Sequence, residues 1–354
     1  MEGFTTISDV LARRRDAMLF IRLCLAGAVF CSHAFVVARG FAYVEPLKAW
    51  TGLDLGQHAV NLFFVLSGFL VVQSLDRRDT RSYLRARALR IFPGLIVAAL
   101  MAALVIGPLM SHLGVRGYFG NPATWRFLPE VLPRFNGLAE LPGVFNGHPV
   151  HNVMATIWTI KYEIVCYLLL ALAGAAGLLR RPAVVLASLG AGLAALTLFE
   201  SGLFPAGVNS LIRFGTCFML GNAFWLLRDR VPLSGLFVAC LAALAIVADN
   251  TPLAMPALIA AEGYGLLWLA YLPVLARIPM PSADLSYGVY LYGFPIEQVI
   301  ESAGFGGLLI IVAAAPVTLA VAALSWFLVE KPALQFKDRP ASARMPHAAD
   351  APVS

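Results

Sequence analysis

Apolar stretches of about 20 residues recur along almost the whole chain, separated by polar connections that are mostly short. A stretch of that length crosses the hydrocarbon core of a bilayer as a helix. The period-two alternation of a membrane β-strand is absent, so helices are the remaining way to satisfy the backbone in lipid. The chain is predicted to be an all-α, polytopic transmembrane bundle of about ten helices. The predicted spans are 17–38, 59–75, 90–110, 155–178, 183–199, 208–227, 234–248, 256–275, 283–302 and 307–328.

The composition agrees with this class. Of the 354 residues, 60% are hydrophobic and 13% are charged, whereas soluble domains are about 45–50% apolar and about 25% charged. Both departures exclude a soluble globular enzyme, a disordered scaffold and a disulfide-stapled secreted module. The five cysteines lie in apolar stretches without CxxC spacing, which is typical of small core residues.

The basic residues indicate an orientation. With an even number of spans, both termini lie on one side of the membrane. If that side is the cytoplasm, the inner segments hold 18 of the 26 Lys and Arg residues and the outer segments hold 5. Such an excess follows the positive-inside rule. Both termini are therefore predicted to be cytoplasmic, and the net charge of +6 is explained by topology rather than by nucleic-acid binding.

The connections predict one membrane domain at 1–338 and a disordered cytoplasmic tail at 339–354, which has few bulky apolar residues. The inner loop Asp76–Arg90 holds six arginines. The outer connection 111–154 is the longest, and it is rich in Pro, Gly, Asn and aromatic residues. Loops of this length usually have a function or are disordered.

Ionisable groups inside predicted spans are candidate functional residues, because they are costly at membrane depth. Arg22 and His33 are eleven residues apart, about 16–17 Å along one helix, and they share nearly the same face. Glu163 is predicted to lie at the depth of His33, where an imidazole–carboxylate pair would suit general-base catalysis. The alternatives are a snorkelling Arg22, a structural core histidine at His33, and an ion pair of Glu163 with Lys161. The last is weakened because residues two apart do not face each other on a helix.

Arg87 and Arg90 precede Pro93 at the predicted start of the third span. Arginines three apart share a helix face and form a fork suited to phosphate oxygens. Their spacing favours a phosphate-bearing cytoplasmic ligand and anionic lipid headgroups about equally.

Several ordered motifs together resemble the acyltransferase type 3 family, bacterial integral-membrane acyltransferases that modify cell-surface polysaccharides. The resemblance extends from about Arg22 to Pro332. It rests on Arg22 and His33 with ten residues between them, NLFFVLSGFLV (61–71), RARALRIFP (85–93), LPGVF (141–145), TIWTIKYE ending at Glu163, FMLGN (218–222), LSYGVYLYGFP (285–295) and WFLVEKP (326–332).

The resemblance implies an enzyme, an O-acyltransferase that moves an acyl group, usually acetyl, from cytoplasmic acyl-CoA to a hydroxyl of a surface or periplasmic glycan. In that reading His33 is catalytic with Glu163 as its carboxylate partner. Arg87 and Arg90 hold the CoA phosphates, and Arg22 guides the donor. Supporting roles are assigned to Thr159, Trp158 and Glu330. Many relatives carry a histidine where this chain has Gly293, so no second catalytic histidine is expected in that segment.

The implied donor is a substrate, and neither a metal nor a permanently bound cofactor is expected. The expected partners are acyl-CoA, a polysaccharide or glycolipid acceptor and membrane lipids, and the expected location is the bacterial inner membrane. We expect segment 111–153 to contact sugar, through Trp125, Phe135 and Phe145. The acceptor glycan, the acyl group and the choice between a base and an acyl-carrier role for His33 stay open.

Two other classes compete with an enzyme. A proton-coupled transporter or flippase of a small solute or glycolipid would use intramembrane Arg, His and Glu as relay or substrate residues. It would favour discontinuous helices and internal pseudo-symmetry, and the two halves of the chain show no convincing similarity. A structural membrane component would use the same polar residues to hold helices together.

Overall fold

The computed structural model describes residues 5–13, 17–199, 201–275, 278 and 280–338. Within these ranges every regular element is helical, and β-type contacts are limited to two isolated bridges, Thr6–Pro232 and Ser111–Val144. The predicted all-α class is confirmed. The predicted tail 339–354 lies outside the described residues, so the domain boundary at 338 stays a prediction.

The helices follow one another with short connections. In the first half of the chain they are α1 (Ile7–Arg13), α2 (Met18–Arg39), α3 (Pro46–Thr51), α4 (Leu55–Asp76), α5 (Thr80–Met101), α6 (Gly107–Met110), α7 (Gly114–Gly120), α8 (Pro122–Val131) and α9 (Ile160–Ala175). In the second half they are α10 (Pro182–Leu196), α11 (Ala206–Leu226), α12 (Gly235–Val247), α13 (Ala254–Ala270), α14 (Ser286–Ser302), α15 (Leu308–Ser325) and α16 (Lys331–Gln335). Short 3₁₀ turns lie at Ala155–Thr159, Leu178–Arg180 and Phe336–Asp338, and π-helical turns at Ala102–Ile106 and Trp326–Glu330.

Each of the ten predicted spans contains a helix. Five helical stretches in the described residues are long and apolar enough to cross a membrane: Met18–Arg39, Leu55–Asp76, Thr80–Met110, Ala155–Ala175 and Leu308–Gln335. Three further apolar helices are shorter: Pro182–Leu196, Gly235–Val247 and Ala254–Ala270. The chain is therefore a membrane protein with several apolar helices. The number of crossings and the cytoplasmic location of the termini stay predictions.

Two connections contain more helix than predicted. The arginine-rich segment 76–90 is mostly helical, because α5 begins at Thr80, where the Asp79 side chain accepts a hydrogen bond from the Ser82 backbone N–H (3.0 Å). An aspartate at this position stabilises the first turn of a helix, and arginine is a good helix former. Segment 111–154 likewise holds α7 and α8, so neither connection is a simple loop.

Glycines set the closest helix contact. A Cβ added at Gly68 of α4 would lie 2.0 Å from the carbonyl oxygen of Phe218, and one added at Gly221 of α11 would lie 2.1 Å from that of Val65. Small residues that let backbones approach in this way are typical of membrane helix packing. The α4–α11 pair forms one side of the core.

Helices α2 and α14 also pack closely. They run in the same direction, because Arg22 near the start of α2 contacts Ser286 at the start of α14, and Phe30, further along α2, packs at Gly293, further along α14. We call the end of the bundle where α2, α5 and α14 begin the basic end. We call the opposite end, where α4 begins, the loop end.

Candidate functional site

A cavity of about 420 Å³ lies between α2, α4, α5, α9 and α14 and reaches the basic end. Five basic side chains line it, Arg22, Arg78, Arg87, Arg90 and Lys337, against two acidic ones, Glu163 and Asp284. Toward the loop end the lining becomes apolar, with Val60, Phe63 and Phe64. The volume is in the range of small-molecule pockets. The surplus of positive charge favours an anionic ligand with an apolar extension.

Asp284 joins two of these arginines. Its Oδ2 atom lies 2.6 Å from Nη2 of Arg90 and 3.4 Å from Nη2 of Arg22. Its Oδ1 atom accepts hydrogen bonds from the Ser286 hydroxyl (2.5 Å) and backbone N–H (3.3 Å) at the start of α14. Asp284 is thus the shared anchor of Arg22 and Arg90.

Glu330 supports Arg90 from the other side. It is buried in the π-helical turn Trp326–Glu330, where Oε1 accepts a hydrogen bond from the Ser325 hydroxyl (3.0 Å). Its Oε2 atom lies 3.5 Å from Nη1 of Arg90. Single π turns occur often at functional sites. The supporting role implied for Glu330 therefore has a geometric counterpart in its contact with Arg90.

Arg87 differs from Arg90, although both line the cavity from α5 as their spacing predicts. The guanidinium carbon of Arg87 lies 5.8 Å from the ring centre of Tyr167, and its Nε atom is buried without a hydrogen-bond partner. Among the described residues, no carboxylate lies within ion-pair distance of Arg87. The predicted fork therefore consists of one arginine held by carboxylates and one whose charge is free for a ligand.

Glu163 lines the middle of the cavity. Its Oε1 atom accepts hydrogen bonds from the Tyr167 hydroxyl and from the Ser67 hydroxyl (3.2 Å for Ser67). Thr159, one turn earlier, also lines the cavity and shares a hydrogen bond of 2.5 Å with the Tyr290 hydroxyl. The wall near Glu163 is therefore built of hydroxyl groups and one carboxylate.

Trp158 is not among the residues that line the cavity. Its ring packs against Tyr162 (5.8 Å between ring centres) and Phe214 (5.7 Å). The implied support by Trp158 would have to act through this packing.

His33 lies outside the cavity, with its ring edge-on to Phe294 at 5.5 Å between ring centres. The depth of His33 follows from the antiparallel packing of α2 and α4. A Cβ added at Gly56 of α4 would lie 3.2 Å from Ser32 of α2, so these two positions are at the same height. His33 is therefore level with Leu55, the first residue of α4. Val60, the cavity residue nearest that end of α4, lies five residues further along, or about 7–8 Å.

The structure does not bring His33 and Glu163 together. Glu163 bonds Ser67, which lies twelve residues along α4 from the level of His33, or roughly 18 Å. The predicted depth of Glu163 assumed that the chain enters the bundle near residue 155. Instead, the Gln298 side chain of α14 donates hydrogen bonds to the carbonyl oxygens of Val150 (2.7 Å) and Asn152 (3.0 Å). The chain therefore enters the bundle several residues before 155, and Glu163 lies deeper, toward the basic end, than predicted.

Sequence reasoning missed three groups of this region: Asp284, the hydroxyls that bind Glu163, and Glu297. Asp284 and Glu297 both lie inside the predicted span 283–302, and an ionisable residue in a span is a signal that could have found them. The two hydroxyls gave no such signal, since Ser67 and Tyr167 are common in membrane helices.

The aromatic residues expected to contact sugar have different exposures. The side chain of Trp125 is exposed, with 52% of its surface accessible. Phe145 is buried and its ring packs against His148, while Phe135 is half-buried with a backbone φ of 50°. Of the three, Trp125 alone presents its ring to an outside ligand.

The model of the acyltransferase domain family matches residues 16–329. An O-acetyl transferase of Shigella phage Sf6 is 25% identical over 88% of this chain and 93% of its own length. Nodulation protein 10 of Rhizobium leguminosarum bv. viciae is 26% identical over 91% of this chain and 94% of its own. No solved structure matches the chain.

Proposed function

The chain belongs to the acyltransferase domain family, and from this premise we propose that it is a membrane O-acyltransferase using acyl-CoA as donor. The acyl group, taken first as acetyl, passes to a hydroxyl of a cell-surface or periplasmic glycan. The name of the phage relative, an O-acetyl transferase, supports both acetyl and an oxygen acceptor. We place the protein in the bacterial inner membrane with the basic end toward the cytoplasm, where acyl-CoA is made.

The observation that carries the proposal is the arginine-rich cavity. Phosphates and the 3′-phosphorylated ribose of CoA are strongly anionic, and arginine binds phosphate oxygens through paired N–H donors. Arg87 has no carboxylate partner among the described residues and is the direct phosphate ligand in this proposal. Arg22 and Arg90, held by Asp284, complete the positive surface.

The apolar part of the cavity suits the pantetheine arm. Val60 and Phe64 line the path toward the loop end, and Glu163 with its hydroxyl partners offers hydrogen bonds midway. We therefore assign Glu163 to the wall of the donor path rather than to a direct contact with His33. Val60 and His33 differ in height by about 7–8 Å. Movement of the side chains within that interval would bring the thioester to the imidazole.

The chemistry proposed for His33 is general-base catalysis. The imidazole takes the proton of the acceptor hydroxyl as its oxygen attacks the thioester carbonyl carbon. The tetrahedral intermediate collapses with loss of the CoA thiolate, which receives that proton from the imidazolium. A positioned base of this kind contributes about 10²–10⁴-fold to a rate.

The test is a transfer assay with the purified protein in lipid nanodiscs, acetyl-labelled acetyl-CoA and lipid-linked glycans extracted from bacterial membranes. We expect label to move to the glycan fraction with the wild-type protein and to stay on CoA with His33→Ala. Label that stays on CoA with the wild-type protein across a panel of acceptor glycans would contradict the proposal and favour the transporter.

A further inference from the structure

Glu297 is a completely buried carboxyl group on α14. None of its surface is accessible, and among the described residues neither of its carboxyl oxygens has a hydrogen-bond partner. A carboxyl group in such surroundings opposes folding, so its presence calls for an explanation. The proposed function gives Glu297 no role.

The register of α2 against α14 places Glu297 near the level of His33. A Cβ added at Gly293 would lie 3.0 Å from the Phe30 ring, which fixes these two positions at the interface of two parallel helices. His33 lies three residues after Phe30 and Glu297 four residues after Gly293. Both steps return to the same helix face, at heights that differ by about one residue, or about 1.5 Å.

Two contacts support this register. The His33 ring packs edge-on against Phe294, which is three residues before Glu297 and so shares its face. Glu297 also lies close enough to Cys31 of α2 to act on it electrostatically. Both observations place the Glu297 side chain on the side of α14 that faces α2.

The other titratable groups near this level of α14 are few. His148 is held by Gln298 (2.7 Å) and by Glu301 (2.8 Å) at the loop end. Helix α15 and the turns Ala102–Ile106 and Ala155–Thr159, which also pack against α14, carry no titratable side chain. On α2, Cys31 and His33 are the titratable side chains near this level.

We infer that Glu297 is the carboxyl partner of His33, a positioning residue that orients the imidazole for proton transfer. The inference rests on the proposed function. In the reaction, one imidazole nitrogen takes the proton of the acceptor hydroxyl while the other donates a hydrogen bond to the Glu297 carboxylate. The proton then leaves on the CoA thiol, so Glu297 is unchanged at the end of the cycle. A carboxylate that fixes the tautomer and stabilises the imidazolium is a recurring arrangement in acyl transfer.

The experiment compares Glu297→Gln and Glu297→Asp with the control Glu301→Gln, all in nanodiscs. Glu297→Gln keeps the shape and removes the charge. We expect kcat to fall about 100-fold while KM for acetyl-CoA stays unchanged. We also expect the acid limb of the kcat profile to move to lower pH, because the imidazolium has lost its anionic partner. Glu297→Asp restores part of kcat and the wild-type acid limb, and Glu301→Gln behaves as wild type.

Size-exclusion profiles of each variant show whether it is folded. If Glu297→Gln is folded and has the wild-type kcat and pH profile, the inference is wrong. If kcat falls equally in the Gln and Asp variants with an unmoved acid limb, Glu297 has a structural role and the inference is also wrong. His33→Ala, assayed in parallel, separates the two proposals: retained transfer there would remove the base role of His33 itself.

Discussion

Charged groups are treated differently at the two ends of this bundle. At the basic end Arg22, Arg90, Asp284 and Glu330 form a connected set of ion pairs. In the half near the loop end, which also has paired groups such as His148 and Glu301, Glu297 and Arg213 are buried with polar atoms that lack hydrogen-bond partners among the described residues. The connected ion pairs can hold a binding surface in place before a ligand arrives. The buried, unpartnered groups need another explanation, which is a reaction for Glu297 in our inference and weaker contacts for Arg213.

Arg213 illustrates the weaker contacts. It is buried on α11, and its guanidinium carbon lies 4.7 Å from the ring centre of Phe214 and 5.8 Å from that of Phe199. Two aromatic faces offset part of the desolvation of a guanidinium. Nε and Nη1 nevertheless have no hydrogen-bond partner. Replacing Arg213 therefore tests whether its buried charge is needed for the fold.

The largest effect is expected for His33→Ala. Transfer of label from acetyl-CoA to glycan should fall at least about 1,000-fold, because the base that takes the hydroxyl proton is lost. Acetyl-CoA binding should be unchanged, since His33 lies outside the cavity. Equilibrium binding of labelled acetyl-CoA and the transfer assay measure the two properties on the same nanodiscs. Transfer at the wild-type rate would contradict the division of roles between the two ends.

The second effect is on stability at the basic end. Asp284→Asn removes the anion shared by Arg22 and Arg90, and we expect a loss of about 2–3 kcal/mol of unfolding free energy. The stabilisation requires the carboxylate form of Asp284, so protonation in acid removes it. Thermal unfolding in detergent should show the gap between wild type and variant narrowing in acid. A gap that stays constant would mean that the charge of Asp284 is not what stabilises this end.

A smaller effect distinguishes the free arginine from the paired ones. Arg87→Ala should raise KM for acetyl-CoA about tenfold, equivalent to about 1.4 kcal/mol, with no loss of thermal stability. Arg81→Ala is the matched control, because Arg81 is an exposed arginine of the same helix that does not line the cavity. Equal KM values for the two variants would show that α5 does not bind the donor through Arg87.

The smallest effect is expected for Arg213→Met. Replacing an unpaired buried cation by an apolar side chain of similar length should leave the melting temperature unchanged or raise it slightly. Kinetic constants should stay at the wild-type values. A fall of several degrees would show that the two aromatic contacts of Arg213 are worth more than its desolvation costs, and the contrast between the two ends would weaken.

The sequence by itself determined the class and much of the cavity. Repeated apolar stretches predicted membrane helices, and the resemblance of several ordered motifs predicted the family. The all-α class and the family are both confirmed. Arg22, Arg87, Arg90, Thr159 and Glu163 were all predicted, and all line one cavity. Spacing within a helix fixes the face of a residue, so Arg87 and Arg90 share a face of α5 wherever that helix packs. The roles assigned to these residues stay predictions.

Tertiary structure alone decided which residues meet across helices. Glu163 and His33 are separated because the chain before Thr159 descends along α14 through contacts with Gln298, a descent that hydropathy does not record. Glu297 and His33 lie near one level because Phe30 packs at Gly293 and sets the register of α2 on α14. Hydropathy determines where a helix forms, but the height of one helix against another is set by the packing of individual side chains, and the contacts between charged groups follow from that height.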